Sequence, residues 1–267
     1  MELIDIGANL THESFAHDFT RVLARAQAAG VAQMLVTGAS RAGSRAALEL
    51  ARAHPGVLFA SAGVHPHHAG EYDADTEAEL RALLADPMVR AVGETGLDYH
   101  RDFAPRAAQR CTFECQLALA AELRRPLFLH QREAHTDFLP MLRAVRDQVP
   151  AAVVHCFTDT RPALRDYLDL DCHIGITGWL CDERRGLHLR ELVREIPRQR
   201  LLIETDAPYL LPRTVRPQPA HRRNEPMYLA HILAALARER GEDPAELAAA
   251  TSANARAVFG LPAPPPG

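Results

Sequence analysis

The sequence predicts an α/β fold, a (β/α)8 TIM barrel with extra C-terminal helices. Eight short apolar segments alternate along the chain with longer amphipathic segments. Most of the short segments are continuous apolar runs, which is typical of parallel strands covered on both faces. Eight β-α units in order favour a closed parallel barrel, and a doubly wound open sheet is the alternative architecture.

The element boundaries follow from where the apolar runs begin and end. The eight predicted strands are Leu3–Gly7, Gln33–Gly38, Val57–Val64, Val89–Glu94, Pro126–His130, Ala151–His155, Cys172–Thr177 and Leu201–Glu204. The predicted helices include Asp18–Ala29, Ser44–Ala53, Ala74–Ala85, Arg106–Leu123, Asp137–Gln148 and Leu187–Glu195. This alternation of strands and helices is the pattern of a parallel sheet.

Two further helices are predicted after the eighth strand. The segment Arg223-Asn224-Glu225-Pro226 places a polar cap beside a first-turn proline, which indicates a helix start, and that helix is predicted to run to about Arg240. Gly241-Glu242-Asp243-Pro244 then opens the last helix. Because no repeat or linker divides the chain, residues 1–261 are predicted to form one domain. The Pro-rich residues 262–267 are expected to be a disordered tail.

The composition is that of a globular protein with a large core: 47% of the 267 residues are hydrophobic and 24% are charged. The net charge is −4, so contact with a polyanion is expected to be confined to a cleft with local arginines and metal. All 30 basic residues are arginine. The absence of lysine excludes Schiff-base catalysis, a P-loop lysine and a metal-bridging modified lysine, since each requires that amine.

The chain is expected to be a cytoplasmic protein that does not enter a membrane. No apolar run approaches the roughly 20 residues that span a bilayer, and the first residues contain no basic segment of an export signal. The five cysteines are odd in number and scattered, which favours a reduced compartment.

The strongest functional signal is the set of residues that end the predicted strands. Glu94, His130, His155 and Asp206 follow four separate apolar strands. In a barrel these ends converge on one rim, where the active site lies. Two imidazoles and two carboxylates at one rim supply the nitrogen and oxygen ligands of a catalytic divalent cation. Four buried polar groups without partners would be costly, so we interpret the set as a metal site.

Other strand-end residues are candidates for substrate contact. His65 and His67 follow the third strand and are assigned a substrate or metal role. Trp179 and Tyr209 follow strands seven and eight, where they either stack on bases or wall a pocket. Arg132, two residues past a ligand, has the planar fork that pairs with a phosphate, and a salt bridge to the next helix is the alternative. Arg223 carries the same two interpretations.

At these residues the chain strongly resembles the TatD-family deoxyribonucleases. The resemblance runs essentially from end to end. Its blocks are Gly63-Val64-His65-Pro66-His67, Gly93-Glu94-Thr95-Gly96-Leu97-Asp98, His155-Cys156-Phe157-Thr158, Ile176-Thr177-Gly178-Trp179, Cys181-Asp182-Glu183-Arg184-Arg185-Gly186, Glu204-Thr205-Asp206-Ala207-Pro208-Tyr209-Leu210 and Arg222-Arg223-Asn224-Glu225-Pro226.

The resemblance implies a barrel of the metallo-dependent hydrolase type. It implies metal binding by Glu94, His130, His155 and Asp206. It also implies magnesium-dependent 3′–5′ exonuclease activity on single-stranded DNA and RNA, with a role in DNA repair. A monomer is expected.

The chain departs from many relatives at the end of the first strand. Gly7 and Asn9 stand where those relatives carry a His-x-His pair, so the sequence leaves open whether one or two ions bind. Asn9 is assigned a substrate contact. The loss of imidazoles favours a hard cation, Mg²⁺ or Mn²⁺, over Zn²⁺.

The expected reaction is hydrolysis of a phosphodiester by water that a divalent cation activates. Asp206 is the candidate general base, and Glu94 is the candidate catalytic and metal-holding carboxylate. Two alternatives stay open at this point. One is an amidohydrolase-like enzyme on a small cyclic amide or lactone, and the other is a non-catalytic barrel that binds nucleic acid.

Overall fold

The computed structural model describes residues 1–263. Of the tail predicted at residues 262–267, residues 264–267 lie outside the described residues. Eight strands are present: β1 Leu3–Ala8, β2 Val31–Val36, β3 Leu58–Ala62, β4 Val89–Asp98, β5 Leu127–Arg132, β6 Ala152–Val154, β7 His173–Ile176 and β8 Leu201–Ile203. They form one sheet in the order β1-β2-β3-β4-β5-β6-β7-β8, and a parallel bridge joins Ala8 at the end of β1 to Ala207 after β8. The predicted (β/α)8 barrel is therefore confirmed.

The helices connect the strands in the alternating pattern that the sequence predicts. They are α1 Phe19–Ala28, α2 Arg41–Ala53, α3 Ala74–Leu84, α4 Arg106–Leu123, α5 His135–Val145, α6 Arg161–Asp169, α7 Leu189–Leu192, α8 Leu229–Arg240 and α9 Pro244–Phe259. None of the helices in residues 1–263 has both the length and the apolar character needed to cross a bilayer. The expected pair of helices after the eighth strand is confirmed as α8 and α9.

Some boundaries differ from the sequence prediction. The second strand begins at Val31, two residues before the predicted Gln33. The predicted helix Leu187–Glu195 is wrong in extent, because only Leu189–Leu192 is α-helical. Helix α6 is not among the helices predicted from the sequence. Its N-terminal cap is Thr160, whose side chain accepts the backbone N–H of Ala163, and a threonine at this position is a recognisable sign of a helix start.

The chain divides into two compact units. Unit 1 comprises Met1–Leu35, Cys156–Thr158 and Ile174–Gly267, and unit 2 comprises Val36–His155 and Asp159–His173. Within unit 1, helix α9 packs on β1 and β8, and β7 pairs in parallel with β8. Within unit 2, β3, β4, β5 and β6 pair in sequence, with α4 packed on β4. The single domain of residues 1–261 stays a prediction.

The ion-pair network of unit 1 joins the segment after β1 to the segment before α8. The guanidinium of Arg223 contacts both oxygens of Asp18 at 2.9 and 2.8 Å and also contacts Glu225 at 2.8 Å. Arg25 on α1 pairs with the same two acids. Two cations and two anions balance here, and the arginines hold the pKa of Asp18 well below its usual value.

The close approach of β4 to β5 depends on Gly96. Gly96 pairs with His130 across the two strands and has a φ of +149°. A Cβ at this position would lie 1.8 Å from the backbone oxygen of His130, so no side chain fits without moving a strand. The glycine therefore sets how Glu94 on β4 and His130 on β5 face each other.

Replacing Gly96 with alanine is expected to lower the free energy of unfolding by about 1–3 kcal/mol or more, because the backbone conformation is strained and the Cβ collides with β5. Urea unfolding followed by circular dichroism measures this. Gly70→Ala is the matched control, since nothing lies within 4 Å of its added Cβ. Equal unfolding free energies for the two variants would show that the close approach places no demand on residue 96.

Candidate metal centre

The candidate site of unit 2 is a buried carboxylate surrounded by imidazoles. One oxygen of Glu94, Oε1, lies 2.8 Å from His155 Nε2, 3.0 Å from His130 Nδ1 and 3.4 Å from His65 Nε2. Glu94 is part of β4 and His130 of β5, while His65 and His155 follow β3 and β6. Consecutive parallel strands thus bring together four side chains that are far apart in the sequence.

The electrostatics of this group follow from its burial and its charge. Only 6% of Glu94 is exposed, and burial by itself raises the pKa of its carboxyl group. The neighbouring imidazoles, with His155 first, outweigh that effect and hold the pKa well below its usual value. Burial lowers the pKa of His65 well below its usual value. The carboxylate is therefore ionised and the His65 ring is neutral.

Asp98, at the end of β4, forms a second carboxylate layer behind His130. Its Oδ2 lies 3.2 Å from His130 Nε2 and 2.9 Å from His67 Nε2. Its Oδ1 accepts the backbone N–H groups of His100 and Arg101 at 3.0 and 2.8 Å. Burial raises the pKa of Asp98, but these hydrogen bonds, with that of His130 first, lower it below its usual value.

Each ring nitrogen of His130 faces a carboxylate, Nε2 that of Asp98 and Nδ1 that of Glu94. An ionised carboxylate only accepts hydrogen bonds, so without a cation both nitrogens donate, and a ring that binds a cation through Nδ1 keeps its proton on Nε2. In the neutral ring Nδ1 then presents a lone pair to Glu94 Oε1 at 3.0 Å. Two facing lone pairs repel unless a proton or a cation lies between them. Burial by itself lowers the pKa of His130, and the hydrogen bonds to Asp98 and Glu94 outweigh that effect and raise the pKa.

His65 has the opposite arrangement. Its Nδ1 accepts the backbone N–H of His67 at 3.1 Å, so the proton of the neutral ring is on Nε2. That N–H points toward the Glu94 carboxylate at 3.4 Å. His65 Nε2 can therefore donate a hydrogen bond to an anionic oxygen.

The donor atoms suit a divalent cation. Ligands bound at about 2.1 Å around a tetrahedral or octahedral ion lie about 3.0 to 3.4 Å apart. The distance from Glu94 Oε1 to His130 Nδ1, 3.0 Å, falls in this range, and the distance to His155 Nε2, 2.8 Å, lies just below it. The ligand atoms of His65, Glu94 and His130 all lie within 4.8 Å of one another. The group is a candidate site for a divalent metal ion with mixed nitrogen and oxygen ligands.

The predicted residues of unit 1 lie where β1 and β8 end. Asp206 Oδ1 accepts a hydrogen bond from Asn9 Nδ2 at 2.9 Å, and the backbone N–H of Asp206 donates to Gly7 at 2.8 Å. Tyr209 is 51% exposed and its ring meets His12 edge-on, with centroids 5.7 Å apart. Asn9 thus orients the carboxylate that the sequence singles out, and the membership of Asp206 in the metal site stays a prediction.

The remaining predicted residues have different surroundings. Arg223 makes the ion pairs described above, and its side chain is only 13% exposed, which matches the structural alternative. His67, with Phe103 beside its ring at 4.7 Å, contacts Asp98. Trp179 lies under the guanidinium of Arg185, 4.3 Å from the ring centroid. Arg132 ends β5 and is half-buried. Their roles toward substrate stay predictions.

Asp98 is a site residue that the sequence prediction does not include. The available signal is its position four residues after Glu94 in one extended segment, since residues an even number apart share a face of a strand. The predicted strand ends at Glu94, which places Asp98 in a loop. The longer β4 of the structure corrects this.

The comparisons with known proteins agree with the fold and with the motifs. A family model described as TatD related DNase matches residues 4–260. A protein of Citrobacter rodentium named 3′-5′ ssDNA/RNA exonuclease TatD is 54% identical over 97% of this chain and 98% of its own length. A protein of the same name from Erwinia tasmaniensis is 53% identical over 97% of this chain and 100% of its own.

Solved structures give the same result. The crystal structure of a TatD homolog from Escherichia coli superimposes with a TM-score of 0.89 at 28% identity, covering 97% of this chain and 98% of the other. A probable 2-pyrone-4,6-dicarboxylic acid hydrolase from Acinetobacter baumannii shares the fold at 14% identity, with a TM-score of 0.63 over 97% of this chain and 100% of its own. With a matching family model over nearly its whole length and curated relatives above 50% identity, this chain belongs to the TatD-related DNase family.

Proposed function

We propose that this protein is a metal-dependent nuclease that removes nucleotides from the 3′ end of single-stranded DNA or RNA. The observation that carries the proposal is the buried Glu94 carboxylate, which three imidazole nitrogens approach within 3.4 Å, in a chain of the TatD-related DNase family. The names of the two bacterial relatives supply the substrate and the direction of attack.

Glu94, His130 and His155 are proposed to hold the divalent cation, with Asp206 as a fourth ligand. The contact of His130 Nε2 with Asp98 supports this assignment, because it leaves Nδ1 as the nitrogen that faces a cation beside Glu94 Oε1. When bound, the cation polarises the phosphoryl group and lowers the pKa of water. Asp206 is proposed as the general base, and the hydrogen bond from Asn9 holds its carboxylate in one orientation.

The protonated Nε2 of His65 is proposed to donate to a phosphate oxygen of the substrate. Mg²⁺ is the proposed ion, with Mn²⁺ as a substitute, because Asn9 and Gly7 stand in place of two imidazoles and leave oxygen ligands in that part of the chain. Stacking of bases on Trp179 and Tyr209, and phosphate pairing by Arg132, belong to the same proposal. A monomeric state, a cytoplasmic location and a role in DNA repair stay predictions.

Glu94→Gln and Asp206→Asn are each expected to lower the rate of nucleotide release by about 10²–10⁴-fold, because one removes a metal-holding charge and the other removes the base. The assay follows Mg²⁺-dependent shortening of single strands labelled at the 5′ end. Glu49→Gln on the exposed face of α2 is the matched control and keeps the wild-type rate. A phosphorothioate linkage at the 3′ end is expected to block the reaction, whereas a wild-type rate in Glu94→Gln would contradict the site.

Asp98→Asn is expected to weaken Mn²⁺ binding about 10–100-fold, as measured by electron paramagnetic resonance of the free ion. The two backbone N–H groups at Oδ1 retain the amide oxygen of the new side chain, so its NH2 group faces His130. His130 Nε2 then becomes an acceptor and the proton moves to Nδ1, where it opposes a cation.

Asp86→Asn serves as the control, since Asp86 pairs with groups outside the candidate site, Arg52 and a backbone N–H. Circular dichroism checks that both variants are folded. Unchanged Mn²⁺ affinity in Asp98→Asn would show that the tautomer of His130 does not depend on this carboxylate.

A further inference from the structure

The segment after the 3₁₀ turn Gly178–Cys181 folds back tightly on that turn. Asp182 is 5% exposed, and its Oδ1 accepts the backbone N–H groups of Arg184 and Arg185 at 2.8 and 3.2 Å. Gly186 closes the loop, where a Cβ would lie 1.9 Å from the backbone oxygen of Trp179. The loop therefore has one compact conformation that does not require the arginine side chains.

Three guanidinium groups gather around Asp182. Their Nε atoms lie 3.5 Å (Arg185), 4.0 Å (Arg184) and 4.0 Å (Arg213) from its carboxylate oxygens. These distances are too long for strong hydrogen bonds, and the three side chains are 63, 65 and 47% exposed. Arg216 adds a fourth cation beside them, because its Nη1 donates to the backbone oxygen of Arg213 at 2.7 Å.

The charge of this group of residues is unbalanced. Asp182 and the exposed Glu183 provide two negative charges against four arginines. The whole chain carries a net charge of −4, so the positive surplus here is local. Like charges held this close repel one another, and an anionic ligand removes that repulsion. The arrangement is therefore suited to bind an anion with several charges.

Trp179 adds an aromatic surface to the same group. The guanidinium of Arg185 lies over its ring at 4.3 Å from the centroid. Arginines beside an aromatic ring are the combination that binds single-stranded nucleic acid, because the cations pair with phosphates and the ring stacks on a base. A phosphate-rich polymer without bases would use only the cations.

We propose that Arg184, Arg185 and Arg213, together with Trp179, form a subsite that binds consecutive phosphates and one base of a single strand. This inference rests on the proposed function for the choice of nucleic acid as the ligand. The subsite differs from the group around Glu94, since it consists of residues of unit 1 and its contacts need no metal ion.

Trp179 makes the proposal directly measurable, because it is the single tryptophan of the chain. A phosphorothioate-linked oligothymidylate of about eight nucleotides, which resists hydrolysis, is titrated into the full chain with Mg²⁺ while the tryptophan fluorescence is recorded. The wild type is expected to show a saturable change. An abasic strand of the same length is expected to bind more weakly and to give a smaller change, because it keeps the phosphates and lacks the base.

The double variant Arg184→Ala/Arg185→Ala is expected to raise the Kd for the oligothymidylate about tenfold. The slope of log Kd against log salt is expected to fall by about 1.4, which is about 0.7 for each phosphate of a single strand that an arginine no longer neutralises. Arg184→Lys/Arg185→Lys keeps both charges and is expected to restore the slope. The lysine variant also shows whether weaker binding by the alanine variant reflects charge rather than folding.

Arg41→Ala/Arg45→Ala is the matched control, because these two exposed arginines of α2 also share one carboxylate, Glu79. It is expected to bind like the wild type. The subsite is refuted if the Arg184→Ala/Arg185→Ala variant keeps the wild-type Kd and salt slope. A wild type that binds the strand through these arginines but hydrolyses no single strand would overturn the proposed function and leave the subsite in place.

Discussion

The structure of the candidate site depends on one interaction, the contact between the buried, ionised carboxylate of Glu94 and the imidazoles around it. A lone buried anion costs several kcal/mol, so it needs compensating charge or hydrogen bonds. Three imidazoles supply the partners, and the nitrogens of His130 and His155 lie within 3.0 Å of Oε1. The pairing of consecutive strands brings these groups together, and Gly96 permits the close approach between β4 and β5.

Asp98 is a second carboxylate, which contacts the imidazole of His67 and, on the side away from Glu94, that of His130. Because it anchors its own Oδ1 on two backbone N–H groups, its other oxygen is held toward His67 and His130. The contact with Asp98 holds a proton on His130 Nε2, so Nδ1 is the nitrogen left to face a cation beside Glu94 Oε1. The resulting pair of electron-rich atoms, Nδ1 and Glu94 Oε1, has the character of a cation site, whereas His65 keeps a proton on the nitrogen nearest to Glu94. Two rings of one residue type thus carry different chemistry because their second nitrogens have different partners.

The strands are predictable from the sequence because burial on both faces gives continuous apolar runs, as in Leu127–Leu129 and Ala152–Val154. Glu94, His130 and His155 stand out as polar residues at the ends of such strands, and all three lie in one group in the structure. Asp98 does not stand out, because β4 continues through polar and glycine residues that carry no apolar signal.

Features set by tertiary contacts are harder to predict. Helix α7 is short, and its predicted length follows an amphipathic pattern that continues beyond Leu192 into non-helical residues. Arg223 finds its partner Asp18 at a distance of 205 residues along the chain, and no local pattern indicates that pairing. The ionic surroundings of Asp182 likewise include Arg213, from a separate loop.

The most direct test of this account is a crystal of the protein soaked in Mn²⁺ and examined by anomalous scattering. We expect a peak bonded by the Glu94 carboxylate and by Nδ1 of His130, with Nε2 of His130 still facing Asp98. A crystal that shows no ion at Glu94, or one in which His130 binds the ion through Nε2, would contradict it.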